Sequence, residues 1–554
     1  MSASDKKKLR KEQAAEFLSE KQRKEQAEAK KLRIYTISFI TAMVLIVAIT
    51  VGVLGFRAIN QSGVIQKSTI ALNIGDRQLN TVELSYYYKD AIDKFYNEWY
   101  EQYSSSADSY LAAMGLDTSK PLSEQVYDKE TGKTWDMFFI DAAIDQAKSD
   151  FALYDLAMKD ETFKLPEDQQ TTLDNMFSNL SVYATLYGYS STKQYLGAMY
   201  GWGADEESFK EYNTRSEIAK AYYAAHEESL KYDDAAIRAY EEDKKDNYNS
   251  YNYSYAYLSY NDFITGGTKS EDGKTTTYTD AEKDAARAAM KAAAEKLATA
   301  TSLEDLKKMA KEAEVNDSSE LAVNDYKNVK HTAIDGLLNK WLSDPERKQG
   351  DIAAIANTLT NKDEAGNETS TVNAYYVIYF DSKNDNTQPM GNVRHLLVQF
   401  EGGTKNEETG VTTYSDAEKN KAKVEAESYL KTYNDGEKTE KAFIELVKKH
   451  SDDSSKDEGG LFEDIHPHSN YVPNFLSWST NPNRQAGDVE VIETEYGYHV
   501  MYYVGDDELT YRDYMISNEL READMEKWHN GLKDTITTSV ADLSKMDLDM
   551  VING

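Results

Sequence analysis

The sequence predicts a multidomain α+β protein, and three observations carry that prediction. A single long apolar run lies near the N-terminus, a tyrosine-rich stretch of helical periodicity follows it, and the C-terminal half contains one unit written twice. At 554 residues the chain exceeds what one core supports, since cores stop growing near roughly 250 residues and longer chains divide.

The apolar run, residues 34–56, is uncharged. About 20 such residues at 1.5 Å rise cross a hydrocarbon layer of roughly 30 Å, so one transmembrane helix is expected. Residues 1–33 form a basic arm with Lys6, Lys7, Lys8, Arg10 and Lys11 at its start and Lys30, Lys31 and Arg33 at its end. The first residues beyond the run offer only Arg57 and Lys67. That asymmetry predicts a cytoplasmic arm, a single-pass cell-membrane protein and an extracytoplasmic bulk. Gly55-Phe56-Arg57-Ala58 offers no small-x-small exit, so the run reads as an uncleaved anchor. Glu12, Glu16, Glu20, Glu25 and Glu28 intersperse the arm and make it a solvated helix that sets topology.

The arm holds eleven basic residues against six acidic, which leaves 52 against 90 for the rest of the chain. An excess of that size excludes nucleic acid as the expected partner. The absence of cysteine excludes disulfides, thiolate metal sites, a cysteine nucleophile and a lipobox anchor. No cofactor is predicted.

Residues 68–248 read as one helical domain. Ile70 to Leu79 form a hairpin around Gly75-Asp76, and Asn80 with Glu83 makes a capping box. Leu84, Tyr88, Ile92, Phe95 and Trp99 then recur at helical spacing. Further helices are expected over 135–159 after Thr134, about 166–187, and 205–247. Aromatic stripes at this spacing are chiefly core, which leaves surplus tyrosines such as Tyr86 and Tyr87 as candidates for contact with other chains.

The duplication is read from two separated blocks. Gly266-Gly267-Thr268-Lys269, Tyr278 and Asp280-Ala281-Glu282-Lys283 return 136 residues later as Gly402-Gly403-Thr404-Lys405, Tyr414 and Asp416-Ala417-Glu418-Lys419. Trp341, Pro345, Arg347, Gly350, Asp351 and Ile355 return at an offset of 137 as Trp478, Pro482, Arg484, Gly487, Asp488 and Ile492. Each copy, 251–384 and 388–506, begins and ends with a strand, with helices between. The strands are expected over 255–260 and 375–380, then 394–400 and 498–504. The tail, 507–554, returns to helix, notably 519–532. His395 and His499 lie on the terminal strands of the second copy, where pairing would bring them together. At the aligned positions the first copy has Tyr255 and Tyr376, so it keeps the framework and lacks the imidazoles.

Across Gly391 to Asp506 the second copy resembles the parvulin family of peptidyl-prolyl isomerases. Arg394-His395-Leu396-Leu397-Val398 looks like its opening strand, His450 to Ser455 like the segment bearing its central acid, here Asp453, and Gly459-Gly460-Leu461 like its glycine turn. Phe475 matches the aromatic that contacts proline, and Gly487 with Thr494-Glu495-Tyr496-Gly497-Tyr498-His499 matches the closing motif. Phe462 stands where a third glycine is common, and Val472 where a glutamine is frequent. The helical domain with its tail helix is similar to the chaperone domain of SurA-like and PrsA-like foldases, in which the C-terminal helix packs back onto the N-terminal domain. The resemblance implies a degenerate first parvulin-like domain, an isomerase second one, His395, Asp453 and His499 as catalytic residues, and Leu461, Tyr471, Phe475, Thr494 and Tyr496 as substrate contacts. Its implied partners are unfolded exported polypeptides and their X-Pro segments. A chaperone without turnover is the alternative, since a histidine pair inside a sheet also serves as a satisfied core network and Asp453 as a turn cap. His450-Ser451-Asp452 holds triad residue types, but consecutive side chains do not converge into a triad. No carboxylate pattern completes a metal site at His466 and His468.

Overall fold

The computed structural model describes residues 2–271, 274–315, 321–362, 368–407, 409–548 and 552. The chain divides into two compact units, one of 1–230 with 524–554 and the other of 231–523.

The first unit starts with a helix over Ala3–Ser62, within which Lys31–Gly55 is long and apolar enough to cross a membrane and is buried against no other part of the chain. Three of its threonine hydroxyls are satisfied internally. Thr36, Thr41 and Thr50 each donate to the carbonyl four residues back at 2.8 Å, which removes the need for water beside an apolar surface.

After this helix, Ile70–Ile74 and Arg77–Asn80 form the predicted hairpin, with Gly75 in the left-handed region at φ 58°. The Asn80 side chain accepts from the Val82 and Glu83 amides at 2.9 and 3.1 Å, and Glu83 Oε2 accepts from Asn80 N at 2.8 Å. That capping box launches the helix Thr81–Tyr103, whose Leu84, Tyr88 and Ile92 are buried. Tyr86 and Tyr87 are buried as well, contrary to their reading as surplus aromatics. The Tyr86 hydroxyl bonds Ser208 Oγ at 2.9 Å and the Tyr87 hydroxyl accepts from Arg215 Nε at 3.1 Å. Both are therefore core residues with satisfied polar tips rather than a gripping surface.

Helices Trp135–Lys159, Glu167–Leu186, Thr192–Tyr200 and Glu206–Ser229 complete the core around Trp135, Phe139 and Ile140. The continuous helix expected to residue 247 ends at Ser229. Asp233 caps a new one, Asp234–Glu241, by accepting from Ala236 N at 2.9 Å. The tail packs back, but beyond its helix Tyr511–Asp534 it does so partly as a strand where helix was expected: Thr538–Val540 pairs antiparallel with Ile70–Ile74, and Ile536, Leu543 and Met546 lie against the same core. Trp528 stacks on His226 at 3.9 Å.

The second unit contains two four-stranded antiparallel sheets of identical order. In the first copy the order is Val323–Lys330, Ser250–Ser259, Glu368–Asn384, Ile352–Lys362; in the second it is Leu461–Ile465, Pro389–Gln399, Gly497–Thr510, Val489–Glu493. The inner two strands of each sheet are the predicted terminal pair: the opening strands start five residues early and end one residue short, the closing strands are longer at both ends, and two further strands flank them. Helices Asp280–Leu297 and Asp416–Asp435 cover equivalent faces, adding Ala286, Met290 and Ala294 to one core and Ala422 and Ala426 to the other.

Both repeated sequence blocks prove to be framework. Glu282 accepts from the Gly267 amide at 2.9 Å and the Thr279 amide at 2.7 Å; Glu418 does the same with Gly403 at 2.8 Å and Ser415 at 2.7 Å. One carboxylate thereby caps a helix and ties down a hairpin in each copy. In the other block, Arg347 lies over Trp341 at 3.7 Å and Arg484 over Trp478 at 4.1 Å, while Gly350 and Gly487 donate to equivalent carbonyls at 2.9 and 2.8 Å.

Candidate active site

The two inner strands of the second sheet set the site. His395 lies opposite Met501 and Leu397 opposite His499, so the two histidines are diagonal neighbours on one face of the sheet. Val393, Met501 and Tyr503 share that face with them, whereas Leu396, Val398 and Val500 point to the helices behind. Their Nδ1 atoms are 2.9 Å apart and the rings are inclined at 19°. Both are buried, at 3 and 4 % exposure.

From this pair the network continues in both directions. His499 Nε2 meets Thr494 Oγ1 at 2.8 Å, and Thr494 Oγ1 accepts from the Tyr496 amide at 3.3 Å. On the other side His395 Nε2 faces Asp453 Oδ1 at 3.5 Å, an electrostatic contact at the outer edge of hydrogen-bond range. Asp453 is fixed by Ser455, whose amide and hydroxyl donate to its Oδ1 at 2.9 and 2.6 Å. His395, and after it the Ser455 donors, hold the Asp453 carboxyl well below the usual range against the opposing effect of burial. Burial, with His395 adding to it, lowers the His499 imidazole to about 3. Asp453 is thus an anion and His499 a neutral ring at physiological pH.

These states orient the network. An ionised Asp453 only accepts, so His395 presents Nε2–H to it, and where that is the ring's single proton its Nδ1 accepts from His499 Nδ1–H. His499 Nε2 then accepts from the Thr494 hydroxyl.

Aromatic rings crowd the same face. Phe475, on the helix Pro473–Ser479, meets both imidazoles edge-on, with centroids 5.4 Å from His395 and 5.8 Å from His499. Phe462 lies 5.0 Å from His395, and Tyr471 sits 5.6 Å from Phe462 and 5.2 Å from Phe475. Leu461 stands apart. It pairs with Arg394 and shares that residue's face, toward the helices, while Phe462 pairs with Val393 on the imidazole face. Tyr496 is 57 % exposed on the loop that joins the closing strands.

Residues noted in the sequence only as motif members, together with Glu440, which the sequence did not single out, hold the loop carrying Asp453. Ser451 Oγ accepts from the Leu397 amide at 3.1 Å and from the Asp453 amide at 3.2 Å. Arg394 donates to Glu440 at 2.7 Å and to the Gly459 carbonyl at 3.0 Å. Gly460, at φ 65°, bonds the His395 amide through its carbonyl at 3.0 Å, and a Cβ there would lie 2.2 Å from the His395 carbonyl oxygen. Only glycine allows that approach.

The apparent triad disperses: the His450 ring lies tilted against Tyr429 at 4.5 Å, Ser451 serves the loop, and Asp452 accepts from the Gln399 amide at 3.0 Å. His466 stacks on Tyr511 at 3.9 Å beside His468, and among the described residues no group of three or more ligands gathers for a metal.

Register identifies the counterparts in the first copy. Tyr255 opposes Ile378 and Tyr257 opposes Tyr376, which places Tyr255 at the position of His395 and Tyr376 at that of His499. Tyr326, opposite Tyr253, takes the place of Phe462, and its hydroxyl donates to that of Tyr255 at 2.8 Å. Burial pushes the Tyr255 phenol up, so this face holds neutral phenols in place of the imidazole pair.

Residues 395–505 match the family model described as Rotamase: PPIC-type PPIASE domain, and that segment is a parvulin-type domain. No curated protein matches the chain. Among solved structures, it is similar to the peptidylprolyl isomerase PrsA of Bacillus anthracis, at 20 % identity over 27 % of this chain and 59 % of that one, with a TM-score of 0.17. It is also similar to PrsA of Bacillus subtilis, at 13 % identity over 73 % and 85 % of the two chains and a TM-score of 0.21. A structure reported for SurA-like chaperones of Campylobacter jejuni matches at 13 % identity over 71 % and 91 %, with a TM-score of 0.15. The chain spans 59 % and 50 % of the lengths of the PrsA structures from Bacillus anthracis and Bacillus cereus.

Proposed function

We propose that this chain is a membrane-anchored, extracytoplasmic prolyl isomerase and foldase that acts on exported polypeptides, with turnover in residues 388–506. One observation carries the reading: in a parvulin-type domain, a buried Asp453–His395–His499–Thr494 network lies beneath an aromatic cluster, and the duplicate sheet lacks its imidazoles.

Rotation about an X-Pro bond breaks amide resonance against a barrier of about 18–20 kcal/mol, and uncatalysed it takes tens to hundreds of seconds. No covalent bond forms or breaks. Reaching milliseconds requires roughly four decades, or about 5–6 kcal/mol, from tighter binding of the twisted amide than of the planar one. Phe475, Phe462 and Tyr471 supply apolar surface for the pyrrolidine ring. A low-dielectric wall favours the twisted carbonyl, which is less polar than the resonant amide. The oriented network beneath supplies fixed dipoles that need no rearrangement as the amide turns. Leu461, facing the helices, is assigned no contact with the ring in this proposal; Tyr496, exposed at the rim, is placed to meet the flanking peptide.

Support for the anchor comes from the helix Lys31–Gly55, the basic arm before it and the back-bonded threonine hydroxyls. A second reading, a chaperone without turnover, is favoured by Phe462, whose ring fills space beside His395 where the family commonly has glycine. The full chain in detergent decides between them in an X-Pro peptide isomerisation assay. Acceleration that is lost in Asp453→Ala supports the enzyme, and no acceleration with any residue before proline sinks it. Protease treatment of right-side-out vesicles tests topology, with cleavage of the bulk and survival of the arm expected.

A further inference from the structure

A cavity of about 890 Å³ opens in the helical unit among the helices Thr81–Tyr103, Trp135–Lys159 and Glu206–Ser229. One wall is aromatic: Phe95, Phe138 and Phe139 meet edge to face with centroids 5.2 to 5.9 Å apart. The rest is acidic, with five carboxylates against the two ammonium groups of Lys94 and Lys220.

An acidic lining alone is usually a solvated surface, but Asp150 does not fit that description. It is 1 % exposed, its Oδ1 accepts from Gln146 Nε2 at 2.7 Å, and its buried Oδ2 has no donor in full hydrogen-bond geometry, only the weaker pull of the Ser216 hydroxyl on the carboxylate. The chain's own cations near it, Arg215 and Lys220, act on its charge only through space and make their contacts elsewhere. Arg215 donates to the Tyr87 hydroxyl and lies over the Phe151 ring at 4.3 Å, and Lys220 pairs with Glu217 at 2.9 Å. Asp90 on the facing helix accepts from the Tyr212 hydroxyl. Burial pushes both carboxyls up, against the lowering pull of Gln146, Arg215 and Lys220 on Asp150 and of Tyr212 and Lys220 on Asp90.

A buried carboxylate oxygen with an open valence is costly unless a donor arrives. We propose that this cavity binds an arginine side chain of an unfolded polypeptide, the guanidinium at Asp150 and the stem along the phenylalanine wall. Arginine fits better than lysine because its planar fork reaches two acceptors at once and stacks on aromatic faces, and because it sheds water more readily. The inference rests on the reading of the chain as a handler of unfolded polypeptides and names the residue type its helical unit selects.

The test uses the full chain in detergent and a fluorescein-labelled unstructured peptide with one arginine among apolar residues. Its twin carries citrulline, which has the same shape and no charge. The arginine peptide should bind about tenfold more tightly, the equivalent of about 1.4 kcal/mol, and Asp150→Asn should abolish the difference, with Asp90→Asn reducing it. Equal binding of the two peptides by the unaltered chain overturns the proposal, and that comparison depends on no variant. Displacement of the peptide by equimolar free arginine or spermidine overturns the polypeptide assignment. Isomerase turnover measured on the same sample separates the two readings: turnover with no arginine preference removes this site alone, and an arginine preference without turnover removes the enzyme alone.

Discussion

Replacing Thr494 with valine tests whether the buried network governs turnover. The substitution keeps shape and volume and removes one hydroxyl, which bonds His499 Nε2 at 2.8 Å with both residues under 10 % exposed. Two outcomes are open to the ring. If His499 keeps its tautomer, Nε2 is left as a buried acceptor without a donor, at about 1–3 kcal/mol. If it switches, its Nδ1 lone pair faces that of His395 across 2.9 Å and the contact becomes repulsive. Either way the dipoles beneath the aromatic cluster lose their fixed direction. A loss near the middle of that range lowers kcat/KM about tenfold to thirtyfold. Thr494→Ser, which restores the donor, should recover most of it. The assay is exchange of an X-Pro peptide followed by NMR, with imidazole ¹⁵N shifts on the same sample reporting the tautomer. Turnover at the unaltered level in Thr494→Val, with ¹⁵N shifts showing a changed tautomer, refutes a role for network orientation.

Gly460→Ala places a Cβ 2.2 Å from a backbone oxygen at φ 65° and should destabilise the parvulin-type domain by about 2–4 kcal/mol, read as a lower denaturant midpoint for its tryptophan signal. Glu241→Ala removes the carboxylate that meets Arg512 at 2.5 Å, with both side chains 8 % exposed, and should destabilise the second unit by about 3 kcal/mol. Limited proteolysis that is unchanged by this substitution would count against it. Burial lowers His466 and His468 to about 4, and His499 to about 3, so the unfolded chain takes up protons that the folded unit refuses. The stability these neutral rings contribute is complete above about pH 6.5 and drains as pH falls toward 3. Hydrogen exchange in 389–399, corrected for intrinsic rate, should accelerate between pH 7 and pH 4; constant protection contradicts the sign.

Much of the site was legible because strands alternate. His395 and His499 sit within regular stretches of their strands, so pairing alone brought them onto one face. Phe462 was hidden by an irregularity. The register shifts between Gly391 and Val393, Asp464 adopts φ 55°, and Phe462 and Ile465 therefore share a face at a spacing of three that alternation does not announce. Tyr86 and Tyr87 were misread for a different reason: a helix beside two neighbours buries more than one stripe, and periodicity reports only the first. The break after Ser229 was similarly obscured, since Leu230 to Asp233 holds neither glycine nor proline and the capping aspartate looks like one more charge on a polar helix.

The pairing of Thr538–Val540 with Ile70–Ile74 bears on the order in which the protein assembles. The hairpin of residues 70–80 is marginal alone and gains its third strand from residues over 450 positions later. A chain emerging N-terminus first therefore completes the two intervening sheet-containing copies while the earlier helices still wait for their last strand. Until that strand arrives, the helical unit is itself an unfinished polypeptide, and a truncation after residue 534 would leave it in that condition permanently.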